Sequence, residues 1–481
     1  MKQITLLLFL WGGIQLSAAA QQHLTINYSR EEAYLEISDK LEFVGNISGS
    51  HHLINFAKNE KPVLFIYDKA LELQHKIILP FIIPERADIR MVPFTNYYML
   101  FISSWYSIQY MVWKIDGEGN STDLSDEFNL LLKQQHLKPR QDFQLLHNEK
   151  GLLLWYHTNP ENIEQNTLVM LQTDSMLQPV NIRKVVYDFK RDEEQIRQEI
   201  MIEGKYLLVV KTTRSSSGLE LMKLNLATGL AIKNTFYTSG FVYSQPNVNY
   251  DKKDSSITLT AMLSDIGKFT SKFYVFLCRL NSELAEQTPV TIFKKQFAKS
   301  TSTNFVLVNH ATQWIKFRSN FKSNDNGNLG NIGLYQDYIA PIDSNRLLSN
   351  IRPVTTTMER LIDWDDQDPG IRFSLLNKNF TIVNEKRVAN TKDAYTIRPE
   401  QFCRFTMKGK EFMIVGQRFR RKQNGLLLVS TTAEDKLEYT DIRVVVRRDY
   451  VLSKTRVIAP NTIIMPYLRK HMAGLVKISI E

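Results

Sequence analysis

Apolar runs of strand length recur along the chain and end at turns rich in Asp, Asn, Ser and Thr. Leu64-Phe65-Ile66-Tyr67 runs into Asp68-Lys69, residues 110–115 into Asp116-Gly117, and residues 168–171 into Thr173-Asp174-Ser175. The same sequence of events repeats at Ala227-Thr228-Gly229, Asn281-Ser282-Glu283, Asn377-Lys378-Asn379 and Ser430-Thr431-Thr432. Short β-rich runs joined by residues that favour tight turns predict antiparallel hairpins.

Most hairpins are preceded by a further apolar stretch, itself opened by a turn such as Glu149-Lys150-Gly151, Glu203-Gly204-Lys205 or Lys408-Gly409-Lys410. Each unit therefore holds three or four strands, and successive turns fall mostly about 45 to 60 residues apart. A repeat of that size predicts an all-β fold, a β-propeller of seven or eight blades. One small twisted sheet cannot cover both its own faces, whereas blades around an axis cover one another. The rhythm breaks at about residues 319–370, which predicts an irregular insertion or a degenerate blade in a single domain spanning 21–481. The last strand-like run, 475–480, has no partner after it. Pairing it with residues 24–28 or 34–37 closes the ring through the N- and C-terminal strands and removes an exposed edge. In architecture, over most of residues 24–480, the chain resembles secreted bacterial β-propeller repeat proteins. It carries no periodic Trp-Asp dipeptide and no paired-glycine signature, and the resemblance implies a fold but no reaction.

The N-terminus changes the picture of where such a propeller works. Lys2 precedes an apolar run from residue 4 to 14, then Ser17-Ala18-Ala19-Ala20 and polar Gln21-Gln22. This is the layout of a signal peptide cleaved after Ala20. The apolar run is shorter than the roughly 20 residues a membrane span needs, and no later run reaches that length. The expectation is a secreted or periplasmic, soluble monomer. Two cysteines, Cys278 and Cys403, do not make a disulfide framework and read as small buried hydrophobes.

Charge is placed unevenly. Residues 401–481 hold 16 Lys+Arg and 7 Asp+Glu, while residues 21–400 are balanced at 43 of each. The surplus gathers at Arg418, Arg420, Arg421 and Lys422, at Arg447-Arg448, and at Arg469-Lys470-His471. Outside a cell such clusters face acidic polysaccharide, lipid phosphate or an acidic protein. No nucleic-acid reader motif accompanies them. The segment 418–422 lies between two strand-like runs, so it is the candidate anion site, because arginine grips carboxylate or phosphate bidentately. Asp363, Asp365, Asp366 and Asp368 beside Pro369-Gly370 are the candidate metal ligands. Calcium is the ion that would suit four carboxylates on a tight loop, and no other cofactor is implied. His51 and His52 are adjacent and point to opposite faces of a strand, so they cannot share a metal. The chain lacks His-Glu-x-x-His, Gly-x-Ser-x-Gly and phosphate-loop motifs. The leading reading is a non-catalytic binding or scaffolding protein whose partner is an envelope or extracellular protein or an anionic polysaccharide. The alternative is a hydrolase or lyase acting on polysaccharide or peptide through carboxylates near a central channel.

Overall fold

The structure is a computed structural model. It describes residues 24–33, 40–56, 59–85, 87–104, 109–135, 143–148, 151–158, 164–190, 192–213, 215, 217–238, 240–251, 254–265, 272–287, 290–296, 304–309, 313–320, 333–338, 348–351, 371–376, 382–388, 394–395, 402–407, 410–419, 424–431, 437–443, 448–469 and 472–480.

Eight sheets follow one another along the described residues, and six of them are four-strand antiparallel meanders or extend one. The first sheet comprises Lys40–Ile47, Ser50–Phe56, Val63–Tyr67 and Leu73–Ile78. The second is built on Ala87–Pro93, Tyr97–Ser104, Met111–Asp116 and Ser121–Asp123. The third holds Phe143–Asn148, Gly151–Thr158, Gln165–Thr173 and Pro179–Asp188, and the fourth Glu194–Ile202, Tyr206–Thr213, Gly218–Asn225 and Ala231–Tyr237. The fifth spans Phe241–Asp251 to Thr291–Gln296, the sixth is built from Asn304–Asn309 onward, and the seventh is centred on Lys410–Phe419 and Asn424–Thr431. The eighth mixes both chain ends.

The apolar runs of the first four sheets and of the eighth are continuous rather than alternating because these sheets are covered on both faces. In Tyr206–Thr213, Leu207 and Val209 pack against Trp155, Leu168 and Met170 of the third sheet. Leu208 and Val210, pointing the other way, pack with Val248, Leu259 and Phe276 of the fifth. Trp155 and Tyr156 divide likewise between neighbouring cores. Shared cores of this kind join first to second, second to third, third to fourth, fourth to fifth, seventh to eighth, and eighth back to first sheet. The first strands of neighbouring sheets also touch: Lys40–Ile47 meets Ala87–Pro93, which meets Phe143–Asn148, and Arg456–Ala459 meets Lys40–Ile47. First strands thus surround the axis and fourth strands form the rim. The fold is a β-propeller.

The Asx turns seen in the sequence are hairpin clasps between third and fourth strands. Asp68 Oδ1 accepts from the N–H groups of Ala70 (2.8 Å) and Glu72 (2.9 Å). Asp116 does so from Glu118 and Asn120, Asp174 from Met176 and Gln178, and Asn281 from Glu283 and Ala285, all at 2.8–2.9 Å. Asn225 performs the same task in a turn one residue longer. A short acceptor side chain satisfies backbone donors that the reversal leaves unpaired. Each turn then needs a left-handed residue: Leu71, Gly119, Leu177, Gly229 and Leu284 have φ between 61° and 88°. The three leucines there are at most 2 % exposed. A left-handed conformation costs about 1–2 kcal/mol, and burying a leucine contributes about 1.5–3 kcal/mol, so burial holds the turn.

Leu24–Tyr28 pairs antiparallel with Met472–Ile480, Leu24 opposite Ile480 and Tyr28 opposite Val476. The N-terminus thereby supplies the rim strand of a sheet whose inner strands come from the C-terminus. Around this seam Ser29 exchanges backbone and side-chain bonds with Leu475, and the Tyr467 hydroxyl donates to Ser29 O (3.2 Å). Arg448 stacks on Tyr28 and Tyr467 and pairs with Glu31 at 3.2 Å, and Arg469 pairs with the same carboxylate at 3.2 Å. Lys454 pairs with buried Glu42 across to the first sheet. Gly474 is required by close approach. A Cβ there would stand 2.7 Å from the Tyr467 ring and hydroxyl and 2.9 Å from Ser29 Oγ.

Three features add to the reading from sequence. The helix Ser125–Gln134 interrupts the all-β pattern between second and third sheets, burying Phe128 and Leu131 and clasping Tyr110 N and O through the Asn129 carboxamide. Within 319–370, Leu348–Ile351 adds to the inner edge of Ala87–Pro93, and the sixth sheet contains a parallel pair, Asn304–Asn309 with Ile371–Leu376. Arg448 and Arg469, counted above among anion-attracting clusters, are ring-closing residues. Their partner Glu31 lies more than four hundred positions away, so the local sequence shows only their charge.

Two predictions follow from the seam and from the first sheet. Gly474→Ala lowers stability by about 1–3 kcal/mol through overpacking, read as a lower urea midpoint; an unchanged midpoint contradicts the close approach. His51 and His52 are buried on opposite faces of Ser50–Phe56, beside Phe43 and Tyr98 respectively, with His52 Nε2 donating to Gly117 O at 3.1 Å. Burial, first among the causes, lowers both from 6.5 to about 4. Protonation therefore favours the unfolded chain. Stability is complete above pH 6.5 and falls as pH drops toward 4, by up to about 1.4 kcal/mol per pH unit for each ring. Urea midpoints across this range for the wild type and His52→Gln check it: the variant has the shallower slope, and equal slopes refute the assignment.

Candidate functional site

A polar cluster lies where the third and fourth sheets meet. It begins with Lys211, near the end of the second strand of the fourth sheet. Register places Lys211 opposite Glu220 on the third strand, and the first strand brings Glu194 alongside. Lys211 is 1 % exposed and donates to both Glu194 oxygens at 3.0 Å. A Glu220 oxygen lies 2.7 Å from the ammonium as an ion pair, off the hydrogen-bond axis. A charge this deep persists because two carboxylates replace its water. Phe189 sets an aromatic face 5.9 Å from the ammonium, and Glu194 also accepts from Lys190 N at 3.0 Å.

Beside it runs a directed chain of hydrogen bonds. Thr167 N donates to Asn166 Oδ1 (3.0 Å), which leaves the Asn166 amide to donate to the Tyr187 hydroxyl oxygen (3.1 Å). The Tyr187 O–H donates to His157 Nδ1 (3.3 Å), and His157 Nε2 donates to Glu199 Oε1 (2.5 Å). The carboxylate at one end and the fixed amide at the other determine the imidazole tautomer. Burial raises the Tyr187 hydroxyl far above its ordinary range, and the charges of Glu199 and Glu194 push the same way. The chain crosses between sheets: Glu199 belongs to the fourth, the other three residues to the third.

A cleft of about 230 Å³ opens where the third sheet passes into the fourth, lined by Glu164, Gln165, Asp188, Phe189, Lys190, Glu194 and Lys233. Asp188 and Lys233 face each other at 3.8 Å. Lys190, more than half exposed, lies 3.4 Å from Glu193. The cleft sits at the strand ends where second strands pass to third and fourth strands pass to the next sheet. Its carboxylates and ammoniums are largely committed to one another, and both nitrogens of the neighbouring imidazole are engaged.

Of the residues singled out from sequence, Arg418 lies in Lys410–Phe419, opposite Asn424 and Tyr395. It stands at the end of a second strand, as Thr158 and Thr213 do in their sheets, and so at the same end of the ring as the cleft. Arg420, Arg421 and Lys422 lie outside the described residues, as do Asp363, Asp365, Asp366 and Asp368. Cys278 is a buried free thiol of the fifth sheet, pushed by burial up to about 12. Sequence reasoning missed Lys211, Glu194, Glu220, His157 and Glu199. One signal was present: Glu220 between Leu219 and Leu221, and Lys211 after four apolar residues, are charges inside runs that otherwise read as core.

Removing one partner exposes the cost of this arrangement. Lys211→Met leaves two carboxylates facing each other in a buried place and lowers stability by about 3 kcal/mol. Adding Glu194→Gln and Glu220→Gln recovers most of that loss. Denaturant midpoints of the single and triple variants check this; equal losses refute the triad.

No protein-family model matches the chain, and no curated protein matches it by sequence. Solved structures that it resembles include an oligopeptidase B from Leishmania major, at 9% identity and a TM-score of 0.37 over 80% of this chain and 46% of that one. A prolyl oligopeptidase B from Galerina marginata shows 13% identity and a TM-score of 0.33 over 56% and 37%. A GH43 endo-arabinanase from Bacillus licheniformis shows 14% identity and a TM-score of 0.24 over 53% and 94%. The matched region spans less than half the length of either peptidase, and these likenesses bear on no activity.

Proposed function

We propose that the chain is an exported, non-catalytic binding or scaffolding propeller that captures an anionic ligand or partner at the end of the ring where second strands pass to third strands. The observation that carries this reading is the commitment of ionisable groups near the cleft to one another. Lys211 is held by two carboxylates, and His157 is held between Glu199 and Tyr187. A locked, pre-shaped polar surface suits recognition, because little side-chain freedom is lost on binding.

Two observations favour an anionic ligand. The positive surplus of the chain lies within residues 401–481. Part of it is consumed by Glu31 and Glu42 at the ring seam, and Arg418 lies at the ligand end of the seventh sheet. The N-terminal layout of residues 1–22 supports export, which directs the reading to acidic polysaccharide or an acidic envelope protein.

Elution from a heparin column tests the proposal. The wild type elutes at higher salt than a variant carrying Arg418→Ala, Arg420→Ala and Arg421→Ala, with melting temperature unchanged. Equal elution of the two proteins overturns the loop as the anion site.

A further inference from the structure

The rim strand of the third sheet is unlike those of its neighbours. Pro179–Asp188 has ten residues, whereas the rim strands of the first, second and fourth sheets have six, three and seven. It ends its sheet, so its outer backbone edge has no strand beside it among the described residues. Successive side chains alternate in direction. Val185 and Tyr187 turn inward to the core shared with the fourth sheet, and Arg183 reaches Leu226 O. Ile182, Lys184 and Val186 share the opposite face and are exposed, Val186 at 51 %, and Val180, at the register shift near the start of the strand, is exposed at 64 %. Met176, in the turn that leads into the strand, is exposed as well.

Propeller rims are normally short or charged because a long apolar edge invites another strand. Here the edge is long, two of the three outward side chains at 182, 184 and 186 are apolar and one is cationic, and exposed Val180 precedes them. We infer that this edge is a docking surface for an extended, acidic–apolar segment of a partner protein, added as a fifth strand to the third sheet.

Charge decides against a second copy of the chain as the occupant. Opposed residues in an antiparallel pair share a face, so two copies of this strand meet most fully in one of two registers. One sets Arg183 against Arg183, and the other sets Lys184 against Lys184. Like charges directly opposite are destabilising. A foreign strand with a carboxylate opposite Lys184 and apolar residues opposite Ile182 and Val186 satisfies the same edge. Its backbone N–H and C=O groups supply affinity, and the alternating side chains supply selection.

The side chains at 180, 182, 184 and 186 do not line the cleft, whose nearest residue on this strand is Asp188, so the two surfaces can be tested apart. The probe is a labelled, acetylated ten-residue peptide alternating valine and glutamate, titrated with the full chain and followed by fluorescence anisotropy. The matching valine–lysine peptide is the control. The glutamate peptide binds, the lysine peptide binds at least tenfold more weakly, and added salt weakens binding. Val180→Asp with Ile182→Asp, and separately Lys184→Glu, each reduce affinity for the glutamate peptide at least tenfold. All the substituted side chains are exposed, so melting temperature and heparin elution stay at wild-type values. Equal binding of both peptides, no binding of either, or insensitivity to both variants overturns the inference. So does self-association of the wild type in sedimentation that Ile182→Asp abolishes, since that outcome makes a second copy the occupant.

Discussion

The whole ring depends on one antiparallel pairing, that of Leu24–Tyr28 with Met472–Ile480. The second, third and fourth sheets are each covered by a neighbour on either side, and a ring cut open at the seam would leave apolar faces of the first and seventh sheets in water. The seam covers both. Tyr467 and Val476 face the seventh sheet, while Ile464 and Leu475 face the first. Its polar bonds join residues as far as 446 positions apart, such as Leu475 with Ser29. They form only after the intervening sheets have brought the ends together, and such non-local closure is slow to reach and cooperative once made. The Glu31 carboxylate, shared by Arg448 and Arg469, lies between Leu24–Tyr28 and Glu32–Ala33, which pair with the same C-terminal strand.

Coverage on both faces also explains where the chemistry sits. A strand such as Tyr206–Thr213 has no face turned to water, so its polar residues survive only at strand ends or as paired clusters. Lys211 does both: it lies near a strand end, and it is neutralised by Glu194 and Glu220. The His157 chain performs the equivalent task one strand away, joining third and fourth sheets through Glu199. Glu194 carries the first cluster to the wall of the cleft, and the His157–Glu199 bond ties the third sheet to the fourth. Gln198 adds a similar tie, its carboxamide bonding both N and O of Val248 on the next inner strand.

Strands, turns and closure were legible in the sequence because their chemistry is local or periodic. Asp68, Asp116, Asp174 and Asn281 cap turns within four residues of themselves, and apolar runs record burial directly. Residues 24–28 were among the expected closing strands because an unpaired final strand needs a partner. The helix Ser125–Gln134 was not read, since its ten residues bury only two large side chains and resemble a loop between sheets. The polar cluster was not legible either. Glu194, Lys211 and Glu220 meet through strand register, and His157 meets Glu199 through packing of two sheets, neither of which is written in local spacing. The basic surplus was visible, but not its division: Arg448, Lys454 and Arg469 are matched by Glu31 and Glu42 from the other end of the chain.

Hydrogen exchange along the full chain tests the central role of the seam most directly. Amides of residues 24–28 and 472–480 exchange as slowly as those of the doubly covered strand 206–213, and through the same global opening. Fast exchange of 24–28 while 206–213 stays protected would contradict the account, because it would show a ring that holds without its terminal strand.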